Sequence, residues 1–181
     1  MGIGSQHEAS ATGRIVVLRG LPGVGKTTVS ALLAVALEPA VRASTDTIRY
    51  LARPRDLSPS TIGLAERAAI ELSLVYASAG YTALVDGVFA DPEVIDALNE
   101  RLTGEGIPVL WFSLVSSIDH ALARNGSRAW FMQTAPDRIR TIAGSYTVHG
   151  SVVHTDDRVA EDVAEEIVER IAAESATAGS R

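Results

Sequence analysis

Lys26 is the one lysine among 16 lysine and arginine residues in this chain. Ala, Arg, Val and Gly are abundant, the pattern of a sequence that uses Arg wherever a positive charge will serve. A lone lysine in that background marks a place where a compact ammonium is required and a planar guanidinium fails. It closes the run Gly20, Leu21, Pro22, Gly23, Val24, Gly25, Lys26, Thr27, with Thr28 next. This is G-x-x-x-x-G-K-[ST] at every fixed position. The glycines let the backbone curl so that successive N–H groups point inward as an anion nest. A helix N-terminus behind them adds partial positive charge. Lys26 can reach the β- and γ-phosphates of a nucleotide, and the Thr27 hydroxyl can ligate Mg²⁺. Gly20 to Thr28 are therefore the candidate nucleotide-binding residues.

Two carboxylates and three arginines extend the chemistry. Asp46, in Ser44-Thr45-Asp46-Thr47-Ile48-Arg49, can take a hydroxyl proton as an acceptor attacks the γ-phosphate. Arg49, one turn on, is positioned to hold the acceptor. Thr45 or Asp46 as a plain helix cap is the alternative. Asp86, in Val85-Asp86-Gly87-Val88-Phe89, reads as the acidic partner of the magnesium shell, with Thr27 the other metal ligand, and as a substrate contact. A strand-end Asp-Gly turn is its alternative. Arg124 and Arg128 are four apart and share a face if their helix extends that far. Arg124 is expected at the nucleotide and Arg128 at the transferring phosphate, as parts of a lid. Trp130, Phe131 and Met132 follow, either as lid or as core. His149 and His154 lack partners at metal-ligand spacing.

These groups need elements to place them. Arg14–Leu18 reads as a buried strand before the glycine loop, and Thr27–Leu37 as the helix after it. Strands are expected at 41–45, 82–86, 108–115 and around 152–153. Helices are expected at 46–52, 60–79, from the Asp91-Pro92 cap to about 103, at 117–125, 138–143 and about 157–173. Strands alternating with helices imply a mostly parallel sheet covered on both faces. Residues 1–13 read as a flexible tail and 14–181 as a single domain. The acidic final helix, with Val159, Val163, Ile167 and Ile171 on one face, is a solvated surface over a buried stripe.

Composition excludes several classes. The 181 residues are 46% hydrophobic and contain no cysteine, which removes disulfides, thiolate metal sites and cysteine nucleophiles. No apolar run is long enough for a membrane helix. The N-terminus lacks a secretory pattern, so the expected location is cytoplasmic. The net charge of −6 opposes a nucleic-acid role.

The glycine loop resembles the P-loop NTPase superfamily. N-K-x-D guanine recognition needs a second lysine, and ring-forming ATPases need more chain, which leaves the compact P-loop kinases. With Ser44–Arg49, Val85–Phe89 and Arg124/Arg128, residues 14–173 resemble the group that holds chloramphenicol phosphotransferase, gluconate kinase, zeta-toxin-like kinases and polynucleotide kinase. Val109–Phe112, Tyr146–Gly150 and Thr155 are most similar to chloramphenicol phosphotransferase. The resemblance implies a P-loop NTPase fold with a five-stranded parallel sheet in the order 2-3-1-4-5, Asp46 as base, and ATP with Mg²⁺. The implied activity is an O-phosphotransferase (a kinase) acting on a small-molecule hydroxyl, with an antibiotic the leading acceptor and antibiotic resistance the role. A polynucleotide 5′-kinase and a regulatory nucleotide-binding ATPase module are the other readings. Against the first stands the 5% aromatic content, since stacking platforms carry single-strand binding. Against the second stands Asp46, which such a module does not need.

Overall fold

The computed structural model describes residues 13–52, 58–130 and 133–178. Of the expected tail, residues 1–13, all but Gly13 lie outside the described residues. Gly13 donates its N–H to Ala77 O at 3.1 Å.

Five strands form one sheet: β1 Arg14–Arg19, β2 Ala40–Ser44, β3 Thr82–Gly87, β4 Val109–Val115 and β5 Ser151–His154. Their order is β2-β3-β1-β4-β5, and every pairing is parallel. The expected order holds. β1 is central because Ile15-Val16-Val17-Leu18 is apolar on both faces, and all four are fully buried. Ile15 and Val17 pack with α3 (Pro59–Ser78) and α4 (Pro92–Thr103). Val16 and Leu18 pack with α1 (Lys26–Ala36) and α7 (Ala160–Ala178). Alternation along one strand thus feeds two cores, one on each face. α2 (Thr45–Arg49), α5 (Ile118–Gly126) and α6 (Pro136–Ser145) complete the chain order.

Local chemistry sets the helix ends. Asp91 accepts from Glu93 N at 3.0 Å and Pro92 takes the first helical position. Pro136 likewise opens α6 two residues before its expected start. α7 begins at Ala160, not at Asp157, because Asp157 has a left-handed φ of 53°. α5 ends at Gly126. Arg128 therefore lies beyond the helix, and it does not share a helical face with Arg124. No helix among the described residues is long and apolar enough to cross a membrane.

Candidate functional site

The glycine loop spans β1 and α1, at the C-terminal edge of the sheet where open parallel sheets bind ligands. Gly23 and Gly25 have φ of 94° and 96°, a backbone that L side chains rarely adopt. At Gly23 a Cβ would also stand 2.1 Å from Ala121 O. The loop therefore lies directly against α5.

Lys26 opens α1 and bends back over the loop. Its Nζ donates to Gly20 O at 2.8 Å and Leu21 O at 3.0 Å. Burial pulls its ammonium down to about 8. Asp86 and Asp46 oppose that fall, and Arg128 adds to it. Four of the predicted charged groups thus share one electrostatic neighbourhood.

Asp86 is the penultimate residue of β3, with Leu18 beside it on β1 and Ser44 beside it on β2. It is 3% exposed. Its Oδ2 accepts from Thr27 Oγ1 at 3.3 Å and Ser44 Oγ at 3.2 Å. Its Oδ1 is buried and accepts no hydrogen bond, and the Arg42 guanidinium stands 3.9 Å away. A buried carboxylate oxygen with an unfilled lone pair, next to a threonine hydroxyl, suits a hard divalent cation. The residues present therefore fit Mg²⁺. No cluster of three or more His, Cys, Asp or Glu side chains that could hold a metal occurs among the described residues.

Asp46 lies in the first turn of α2 and is exposed. Its Oδ1 accepts from Arg49 Nη2 at 2.8 Å. The N-cap position of α2 belongs to Ser44, whose side chain makes no capping bond and turns to Asp86 instead. Arg49 lies 5.3 Å from the Tyr50 ring.

Arg124 donates to Thr155 O at 2.9 Å and Arg158 O at 3.4 Å. It ties α5 to the segment between β5 and α7 and forms part of a cavity of about 330 Å³ with His120, Ala123, Asp157, Arg158 and Val159. Asp156 braces this wall. It accepts from Ser117 N at 2.9 Å and from Ser116 Oγ, and His120 Nδ1 stands 3.1 Å from its Oδ1. The Ser116 hydroxyl, then the Ser117 N–H, hold its carboxyl well below the usual carboxylate range. Arg128 is half-buried, and its carbonyl accepts from Gln133 Nε2 at 2.8 Å. Trp130 is 84% exposed, whereas Trp111 is 8% exposed within β4. Phe131 and Met132 lie outside the described residues.

Sequence reasoning missed Ser44 as a partner of Asp86. It also missed Arg42, which donates to Thr27 O at 3.1 Å and Ser30 Oγ at 2.9 Å. Arg158 in the cavity wall and buried Glu66 were missed too. Arg42 and Glu66 sit in ordinary strand and helix patterns, and nothing in the sequence separates them from surface charges.

Residues 15–162 match the model of a family described as AAA domain. No curated protein matches the sequence. Among solved structures, the Mycobacterium tuberculosis APS kinase in complex with AMPPNP and APS is 19% identical with a TM-score of 0.71, covering 87% of this chain and 96% of its own. The Deinococcus radiodurans tunicamycin resistance protein is 18% identical, with a TM-score of 0.65 and coverage of 88% and 95%. A Sinorhizobium meliloti gluconokinase is 15% identical, with a TM-score of 0.60 and coverage of 92% and 99%. At these identities the likeness is one of fold.

Proposed function

The chain belongs to the AAA domain family, and we propose that it is an ATP-dependent O-phosphotransferase acting on a hydroxyl of a small molecule, an antibiotic or related metabolite. One observation carries the reading. The exposed Asp46 carboxylate shares an electrostatic neighbourhood with Lys26, on the loop that would hold the phosphates. A module that only binds nucleotide has no use for that carboxylate. The APS kinase and the gluconokinase, whose folds this chain resembles, support a small-molecule acceptor, and the tunicamycin resistance protein supports an antibiotic.

In this reading the loop amides and Lys26 hold the β- and γ-phosphates. Thr27 and Asp86 would hold Mg²⁺, which when bound supplies charge neutralisation on the phosphate oxygens. The α5 cavity beside Arg124 takes the nucleotide's base. Asp46 accepts the proton of the acceptor hydroxyl, whose oxygen forms the new bond to the γ-phosphorus. The bond from that phosphorus to the bridging oxygen breaks, and its electron pair leaves with ADP. Arg49 orients both Asp46 and the acceptor. Arg128, on the segment after α5, neutralises the transferring group when that segment closes.

Labelled ATP with a panel of hydroxylated acceptors tests the proposal. A labelled phosphomonoester that forms with wild type and not with Asp46→Asn supports it. Nucleotide binding with no transfer to any acceptor refutes it.

A further inference from the structure

Phe89 is fully buried and has a left-handed φ of 46°. An aromatic residue held there is strained and persists only where its surroundings over-determine it. Two buried charged side chains do so. Its N–H donates to Glu66 Oε1, from α3, at 2.7 Å. Its carbonyl accepts from Arg19 Nη2 at 2.6 Å and Nε at 3.2 Å. Glu66 is 3% exposed and Arg19 is fully buried. The Arg19 guanidinium also donates to Thr147 O and Ser113 Oγ, and lies 4.3 Å from the Tyr146 ring.

The grip reaches the reaction edge by contact. A Cβ placed on Gly87 would lie 2.7 Å from the Phe89 ring and 2.8 Å from Thr45 Cγ2. The ring and Thr45, the buried residue that precedes Asp46, therefore both close on Gly87, next to Asp86. Arg19 directly precedes Gly20, whose carbonyl accepts from Lys26.

We propose that Glu66 and Arg19 are positioning residues of the phosphoryl-transfer site: gripping Phe89 at its N–H and its carbonyl, they hold the 86–89 turn and with it Asp86 and Asp46. This rests on the kinase reading above. The charged groups facing Glu66 are Asp91, from the residue capping α4, and Arg19, from β1. Burial pushes the Glu66 carboxyl up to about 7, and Asp91 acts the same way. The Phe89 N–H and Arg19 pull it down. A charged carboxylate grips an N–H more strongly than a neutral one. The hold on Phe89 therefore tightens as pH rises through about 7.

Glu66→Gln keeps the acceptor oxygen and cannot ionise. Wild-type kcat should rise about tenfold through neutral pH, the difference between a charge-assisted and a neutral hydrogen bond. The variant should stay at the low level without an inflection, with its KM for ATP within about threefold of wild type. A second readout needs no activity. Trp111 lies edge-on to Phe89 at 5.6 Å, so its emission reports the grip. In a Trp130→Phe background, Trp111 emission should titrate near pH 7 with Glu66 present, and Glu66→Gln should abolish that component. His149 lies 5.1 Å from Trp111 in both proteins, so the readout is the difference between them. A Glu66-dependent emission change without phosphoryl transfer to any acceptor would refute the kinase reading and leave the grip standing. A flat wild-type kcat across pH 7, an unchanged profile in Glu66→Gln, or a loss of melting temperature alone would overturn the proposal.

Discussion

Lys26→Met should make the protein more stable and inactive at once. Burial pulls the Lys26 ammonium from 10.5 to about 8 in the folded chain. At neutral pH both states hold the proton, and the folded state pays for it: at about 1.4 kcal/mol per pH unit, the charge costs about 3 kcal/mol relative to the unfolded chain. Methionine removes that cost. It also strands the Gly20 and Leu21 carbonyls that Lys26 now satisfies, a loss of about 1 kcal/mol each. The net gain is about 1 kcal/mol, or about 2–4 °C in Tm. The pH dependence distinguishes this cause from better packing. Between about 8 and 10.5 the unfolded chain binds the proton and the folded chain does not. Wild-type stability therefore rises with pH there, and the advantage of the variant closes. Urea melts at pH 7 and pH 10 measure it. Phosphoryl transfer should fall by at least ~10²-fold, since one preorganised charge is removed from the γ-phosphate. A variant less stable than wild type at pH 7, or an advantage independent of pH, would show that Lys26 is not held charged against its surroundings.

Lys26→Arg should lose nearly as much activity as Lys26→Met in the same transfer assay, because the loop fits a point charge and not a fork. For the free enzyme, kcat/KM should fall as pH rises through about 8 as Lys26 loses its proton. In kcat that limb should move to higher pH, because bound phosphates favour the ammonium. Asp46→Asn should lower turnover strongly and leave ATP affinity almost unchanged, and turnover within a factor of a few of wild type would remove Asp46 from the role of base. Trp130 fluorescence should change more with ATP and acceptor together than with ATP alone, as an 84% exposed ring becomes covered. Gly23→Ala should destabilise by at least ~3 kcal/mol in urea melts, since the new Cβ meets the Ala121 carbonyl at 2.1 Å with a left-handed φ beneath it.

Local pattern alone reached the sheet and the loop. The β-branched run of β1, the glycine spacing through Lys26 and the Asp91-Pro92 cap act within a few residues, so their structures follow from sequence. The strand order was implied by resemblance, since no residue pattern states which strand pairs with which. What pattern could not reach depends on where distant elements meet. Arg42 looks like an outward strand residue, yet the β2–β3 pairing aims it at Asp86 and Thr27. The Arg124/Arg128 spacing suggests a shared face, but α5 stops at Gly126 and separates them. Glu66 has the spacing of any charge on a helix. It is buried, and its carboxyl is raised, because α3 is laid across the end of β3 where the Phe89 N–H needs an acceptor. Sequence determines which groups can do chemistry. Packing decides which of them lose water, and the loss of water sets their charge and their grip.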